Sequence, residues 1–421
     1  MTKYVLIIFL FITNILTASS REETVNRINK LLASVPNGTK VGVVIYNPLI
    51  QDTIFSLNPK QSMIPASLTK LFTTAVSFSI MSGEQEIGTK FFSEDSILND
   101  GILNGNLYIK GYGNSSFTES YLQSMVDYLI SKGIKKIEGD IIGDDTYFDK
   151  IYTREDWIED EKANVKLPPI SALVLDRNRT TVRRRIRKRY RYIIESVKDP
   201  PLFIANKLKE DLKTSGIEIT GRAKTGVTPN NSFFITERAI KLKDLVPLIN
   251  KHSDNFLAEC LFKKLGAVAS GAQGNSFFSQ QAIQKFLKDN NIFFDGTEIV
   301  DGSGISRFDQ VTPLAINGVL EKMYFDLVHF KDFINSLSIA GVDGTLKGRM
   351  TGTLAENNFR GKTGSLNGVS GLAGYLTNSN GDDIIITIIF EFNKGGWRYY
   401  RNIQDKIVTI LSEWENENSD Q

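Results

Sequence analysis

The sequence predicts an α/β fold of the α+β kind: an antiparallel sheet flanked by helices, with a large, mainly β region inserted into it. Three observations carry this expectation. On the N-terminal side, residues 41–46 and 52–57 read as a hairpin, and Leu68, Leu71, Phe72 and Ala75 continue an apolar helical stripe after Pro65 and Ser67. On the C-terminal side, residues 369–375, the Asn380-Gly381 pair and the β-rich run 384–392 form a hairpin signature. Between them stand three short polar motifs whose chemistry is complementary but whose positions are far apart in the chain: Ser67-Leu68-Thr69-Lys70, Ser253-Asp254-Asn255 and Lys362-Thr363-Gly364. An insertion is the economical way to bring them together.

The elements follow in order. Residues 20–91 and 241–421 are expected to form the catalytic domain, and 92–240 the inserted region, with short strands at 107–110 and 137–142 and a helix between Ser120 and Gly133. The last helix is expected over 399–414, with Ile403, Ile407, Ile410, Leu411 and Trp414 on one core-facing stripe. At 421 residues and 41% hydrophobic composition the chain is long enough for two or three domains. Residues 1–19 combine Lys3, an apolar run over 4–16 and the small residues Thr17-Ala18-Ser19, which reads as a cleaved signal peptide and therefore export. The run is too short to span a bilayer comfortably. Cys260 is the single cysteine and reads as a buried core thiol.

Ser67 and Lys70 are three residues apart, so a helix places them on one face, a nucleophile beside a base. Lysine accepts a proton near neutral pH only when burial or a second cation lowers its pKa, and Lys362 is the natural candidate for that cation. Ser253 and Asn255 precede an apolar helical run; helix capping accounts for one of Ser253 or Asp254 but not for the polar pair. On a strand edge, Lys362 and Thr363 offer a cation and a hydroxyl to a carboxylate, and adjacent backbone N–H groups can hold an oxyanion. The ordered set describes an acyl-transfer site. A second Lys224-Thr225-Gly226 leads into Val227-Thr228-Pro229-Asn230-Asn231, which is turn chemistry, and is expected to be a surface loop.

From about residue 32 to 393 the chain resembles the D-alanyl-D-alanine carboxypeptidase/endopeptidase family, the low-molecular-mass class C penicillin-binding proteins. Beyond the three motifs the likeness includes Asp301-Gly302-Ser303-Gly304-Ile305-Ser306-Arg307 with Thr312-Pro313, the phrase 340–349, the region 137–144 and the segment 157–160. The resemblance implies a β-lactamase/transpeptidase-like catalytic domain, and β-lactams as covalent inhibitors. It implies Ser67 as the acylated nucleophile, Lys70 as proton acceptor, Ser253 as shuttle to the leaving D-alanine, and Asn255 as holder of the substrate amide. Lys362 and Thr363, with Gly364 and Ser365 beside them, would bind the terminal carboxylate; the N–H groups of Ser67 and Ser365 would form the oxyanion hole. Asp160 and Arg307 would clamp the amine and carboxylate at the diamino-acid end of a peptidoglycan stem peptide. Gly111-Tyr112-Gly113 departs from the family's usual Gly-Asp-Pro.

The expectation is therefore a serine D-Ala-D-Ala carboxypeptidase and/or D,D-endopeptidase of the periplasm or cell envelope, with no cofactor and no metal. His252 and His329, the only histidines, are too far apart for a His-Glu-x-x-His site and too few to make a Ser-His-Asp mechanism the first choice. The rival is a non-hydrolytic wall-binding or β-lactam-sensing protein of the same fold. One feature is not standard for the family: residues 177–191 hold nine basic residues in fifteen positions, although the net charge is only +2. Arg177 to Arg191 is expected to be a solvated β hairpin of the insert, with contact to an anionic wall or membrane surface as its functional reading and nucleic acid excluded by export.

Overall fold

The computed structural model describes residues 21–95, 101–157, 167–186 and 189–415. The signal-peptide expectation, Asp160, the Arg187-Lys188 pair and the tail 416–421 lie outside the described residues. The chain opens with α1 (Arg21–Ala33) and a hairpin of β1 (Lys40–Asn47) and β2 (Asp52–Leu57), then a single 3-10 turn over Ala66–Leu68 and α2 (Thr69–Ile80).

An excursion follows, through β3 (Glu86–Ser93), β4 (Ile102–Asn104), β5 (Leu107–Gly111), α3 (Glu119–Ser131), β6 (Lys136–Glu138) and β7 (Ile141–Asp144). It continues with β8 (Arg179–Ile186), β9 (Arg189–Ser196), α4 (Pro200–Thr214), β10 (Glu218–Ile219), β11 (Ala223–Thr225) and β12 (Phe233–Lys241). The chain returns with the helices α5 (Leu242–His252), α6 (Asn255–Ser270), α7 (Ser276–Asp289), α8 (Pro313–Tyr324) and α9 (Phe330–Ser336). Last come β13 (Ser338–Ile339), β14 (Arg360–Leu366), β15 (Val369–Thr377), β16 (Asp383–Glu391) and α10 (Trp397–Ser412).

Among the described residues six strands form the main sheet, in the order β13-β14-β15-β16-β1-β2, with every neighbouring pair antiparallel. Helices cover both of its faces. On one, Leu71, Phe72, Phe256, Leu261 and Ile316 pack with Ile385 and Ile389; on the other, Ile403, Ile407 and Leu411 of α10 pack with Ile386 and Ile388. The alternation of Ile385/Ile389 and Ile386/Ile388 between two cores explains why residues 384–392 read as a continuous apolar run: both faces of this strand are covered.

The excursion has its own sheets. β3 and β12, its first and last strands, pair antiparallel from Glu86↔Lys241 to Ser93↔Phe233, so the outgoing and returning chain are zipped together. Parallel pairing of β5 with β7 and of β7 with β11 requires crossovers, and α3 and α4 supply them. The inserted region thus adds two helices to its strands, with Leu122, Met125, Leu129, Leu208 and Leu212 in its core.

The Lys224-Thr225-Gly226 expectation needs correction. Ala223–Thr225 is a short strand, not a loop, because Asp140 accepts from the Arg222 backbone N–H and from Lys224 Nζ and holds the segment beside β7. Arg179–Ser196 does form a β hairpin, separate from the other sheets.

Ile407 is fully buried between α10 and the sheet. Ile407→Ala should destabilise the protein by about 2–5 kcal/mol, seen as a lower urea midpoint with an unchanged slope.

Candidate active site

The first motif does not simply open a helix. Ser67 lies in the 3-10 turn ahead of α2, and Ala66 before it takes a left-handed φ of 49°. Such a conformation is rare outside glycine and is held only where the surroundings enforce it. The enforcing contact is visible: at Gly304 (φ 79°) any Cβ would stand 1.9 Å from the Ala66 carbonyl oxygen. From the other side β14 presses on the same turn, and a Cβ at Gly364 would stand 2.6 Å from the Pro65 oxygen. The glycines of two separate motifs let two segments close on the turn that presents Ser67.

Lys70, one helical turn on, is fully buried. Its Nζ donates to Ser67 Oγ (2.9 Å), Asn255 Oδ1 (2.7 Å) and the Ser303 carbonyl (2.6 Å), a full set of partners for an ammonium. Burial lowers its pKa to about 8 against the opposing pull of Asp301, Glu259, Asp254 and Asp309. The desolvation, rather than a neighbouring cation, is the main cause. Repulsion between the two lysines weighs on Lys362 instead, whose pKa lies well below the usual lysine range through burial first and the Lys70 charge second.

The second motif sits between two helices. Ser253 ends α5 in a left-handed conformation (φ 53°), and Asp254 caps α6, accepting from the Leu257 backbone N–H at 3.0 Å. The sharp reversal turns Ser253 and Asn255 toward different lysines: Asn255 to Lys70, and Ser253 Oγ to Lys362 Nζ at 2.9 Å. Lys362, also fully buried, donates as well to the Thr363 carbonyl at 2.8 Å. Thr363 Oγ1 donates to Thr345 Oγ1 at 2.9 Å, and Ser365 Oγ accepts from Arg401 of α10 at 3.1 Å. All three motifs thus meet, linked through Lys70, Asn255, Ser253 and Lys362. Arg307 is set apart from that chain, with one Nη donating to the Asn367 carbonyl in the β14–β15 turn at 2.9 Å.

Sequence reasoning missed the supports. Arg177, first of the basic cluster, is not part of the hairpin: its guanidinium grips Asp254 with two bonds of 2.7 and 2.9 Å and lies 5.1 Å from the centre of the Phe256 ring. Burial tends to raise the pKa of Asp254, but the Arg177 and Leu257 hydrogen bonds outweigh it and hold the carboxyl low. Asp301 organises the loop that offers the Ser303 carbonyl, accepting from the backbone of Ser303, Gly304 and Ser306 and from the Trp157 indole. Beside it Arg154 donates to Asp156 and to the Val300 carbonyl, and Asp156 accepts from Ser306 Oγ. Arg154, Asp156, Trp157 and Arg177 all belong to the stretch between β7 and β8. In the sequence only the Trp157 segment and the Asp-Gly-Ser-Gly phrase signal this region, and they point to Asp160 and Arg307 as substrate contacts, not to Arg154, Asp156 or Asp301 as supports.

Such a site, with a serine against a buried lysine, a second serine–lysine pair and a carbonyl-backed loop, defines a serine-lysine acyl transferase. The family comparison is specific: the D-Ala-D-Ala carboxypeptidase 3 (S13) family model matches residues 24–191 and 184–414. The chain belongs to that family and is a D-Ala-D-Ala carboxypeptidase, a serine-type hydrolase. Among curated relatives, the D-alanyl-D-alanine carboxypeptidase DacB of Haemophilus influenzae is 26% identical, covering 85% of this chain and 86% of the relative. The D-alanyl-D-alanine carboxypeptidase of Actinomadura sp. strain R39 is 24% identical over 90% and 82%. The fold matches the crystal structure of penicillin binding protein 4 from H. influenzae with a TM-score of 0.78 at 22% identity, over 91% of this chain and 99% of that one. That protein has also been crystallised with a β-lactam.

The Arg177–Asp254 clamp fixes the helix end that carries Asn255. Losing a charge-assisted, half-buried pair is worth about 1.5–3 kcal/mol, so Arg177→Met should lower kcat/KM for a D-Ala-D-Ala peptide by roughly 10–100-fold. Arg177→Lys, which keeps the charge without the two-pronged grip, should fall between; wild-type rates in both would show that the clamp does not position the motif.

Proposed function

We propose that this chain is an exported carboxypeptidase that releases the terminal D-alanine of peptidoglycan stem peptides through an acyl-enzyme on Ser67. The observation that carries the reading is the contact of Lys70 Nζ with both Ser67 Oγ and Asn255 Oδ1 while Lys362 Nζ holds Ser253 Oγ. Neutral Lys70 takes the Ser67 proton as Oγ attacks the carbonyl of the penultimate D-alanine. The oxyanion is received by the backbone N–H groups of Ser67 and Ser365. Ser253 passes a proton to the departing amine, Asn255 holds the substrate amide, and Lys362 with Thr363 receives the terminal carboxylate beside Gly364 and Ser365. Water then hydrolyses the ester. No metal or organic cofactor enters this route.

A larger leaving group in the same position would make the reaction a D,D-endopeptidase cleavage of cross-links, since both reactions attack a carbonyl that follows a D-alanine. Arg307 and Asp160 are assigned to the diamino-acid end of the stem peptide, and β-lactams to Ser67 as covalent inhibitors. Residues 20–91 with 241–421 form the catalytic unit in this reading and 92–240 the insert; pairing of the Glu86–Ser93 and Phe233–Lys241 strands supports it by bringing the ends of the excursion side by side. Export to the periplasm or cell envelope rests on residues 1–19. No helix among the described residues is long and apolar enough to cross a membrane.

The test is incubation with a fluorescent penicillin, then with a muropeptide ending in D-Ala-D-Ala and a cross-linked dimer, followed by mass spectrometry. Wild type should label at Ser67 and release D-alanine or split the dimer, and Ser67→Ala should do neither. Hydrolysis surviving in Ser67→Ala would sink the assignment; labelling without turnover in the wild type would favour the non-hydrolytic sensor.

The pH dependence has a definite sign. Lys70 is charged below its pKa of about 8 and cannot then accept the serine proton. The penicillin acylation rate should therefore rise about tenfold per pH unit from pH 6 and level off above about 8. A rate already flat between pH 6 and 7 would remove Lys70 as the base.

A further inference from the structure

The Arg179–Ser196 hairpin is unused by the reaction and projects as a two-stranded sheet of its own. Its register settles which side chains share a face. Arg183 pairs with Tyr192, Arg185 with Tyr190, Thr181 with Ile194 and Arg179 with Ser196. Cross-strand partners lie on the same side of a sheet and every second residue returns to it. One face therefore carries Arg179, Arg183 and Arg185 along β8, and Tyr190, Tyr192 and Ile194 along β9. All of these are exposed: Tyr190 by 60%, Tyr192 by 75% and Ile194 by 71%. The opposite face differs. It carries Arg184, Arg189 and Arg191 with Ile186, but Val182 and Ile193 are partly covered there, it holds no aromatic row among the described residues, and Glu195 pairs with Arg184 at 2.7 Å.

We propose that the Arg179/Arg183/Arg185–Tyr190/Tyr192/Ile194 face docks on an anionic phospholipid bilayer. Two observations select this occupant. Among the described residues the face has three guanidiniums and no carboxylate, which complements a negative surface; each basic side chain near such a surface contributes attraction that is lost with salt. Beside the arginines runs an unbroken apolar row, and Tyr is at home at the boundary between water and hydrocarbon, with Arg183 already folded 4.1 Å over the Tyr190 ring. A hydrated polyanion, including wall polymer, would use the guanidiniums and could stack on the rings, but would gain nothing from Ile194. A bilayer uses all three residue types.

The hairpin is also well rooted. Val197 N–H donates to the Asn178 carbonyl at 2.9 Å across its base, and the preceding Arg177 grips Asp254. Docking on this face therefore fixes the active site relative to the membrane, not a loosely tethered appendage. The inference concerns binding alone and stands or falls independently of the catalytic assignment.

The test is co-sedimentation of the full chain with vesicles of phosphatidylcholine and of phosphatidylcholine mixed with phosphatidylglycerol. Binding should appear only with the anionic lipid and weaken as NaCl is raised. Arg183→Gln and Arg185→Gln should each weaken it about 5-fold, and Tyr192→Ser with Ile194→Ser should weaken it at constant charge. D-alanine release from a small soluble peptide should be unchanged in all four, which separates lost docking from lost folding. Three results would each overturn the proposal: no binding to anionic vesicles, equal binding to neutral ones, or binding to purified wall sacculi that the Tyr192/Ile194 variants leave intact while vesicle binding is absent.

Discussion

A lysine removed entirely from water keeps a usable charge only if oxygens replace its hydration shell, and this molecule solves that problem twice in one place. Lys70 has three oxygen partners, and Lys362 has the Ser253 hydroxyl and the Thr363 carbonyl. Isolated, either cation would be expelled or neutralised. The partners come from four segments of the chain, so the two lysines act as the points around which the 3-10 turn, the α5–α6 reversal, the Ser303 loop and β14 are assembled. The fold around them is arranged to deliver acceptors.

That requirement explains why the inserted region is more than decoration. The loop carrying the Ser303 carbonyl is held by Asp301, and Asp301 and Ser306 are in turn held by Trp157 and Asp156, which belong to the excursion. The α6 end carrying Asn255 is held by Arg177, from the same stretch. The excursion thus braces two of the four segments that feed Lys70 and Lys362. A site built on rigid helices and strands, with a supporting shell of charged bonds, keeps the sub-ångström placement that acyl transfer demands.

Much of this was legible in the sequence because the reacting groups occur as short, chemically explicit strings. Ser67, Lys70, Ser253, Asn255, Lys362 and Thr363 were all named from the motifs, and the structure gathers them. The main sheet was legible from residues 369–392, where hydrophobic periodicity and an Asn-Gly turn agree, and α10 from its apolar stripe. The supporting shell was not. Arg177 is one of nine basic residues within fifteen positions and nothing local distinguishes the one that turns inward; its left-handed φ of 60° is a property of the folded turn. The Lys224-Thr225-Gly226 strand was hidden for a similar reason: three residues carry no period, and Asp140, distant in sequence, decides the outcome. Local chemistry is written locally, whereas bracing is a relation between distant residues.

The charge beneath Lys70 shows how far that relation goes. Glu259, Asp301 and Asp309 are buried close to the lysine. Together with Asp254 they pull the Lys70 pKa upward, against the burial that lowers it to about 8. Asp301 accepts three backbone N–H groups and the Trp157 indole. Burial first, and the neighbouring Asp301 charge second, push Glu259 up to about 8 and Asp309 well above the ordinary carboxyl range. Burial thus works against the charge of these two acids just as it works against that of Lys70, and so limits their hold on the lysine's proton. The lysine stays buried, satisfied and still able to give up its proton. Burial sets its basicity and the acids on α6 and the 300–309 loop temper it, and the Ser-x-x-Lys motif itself encodes neither.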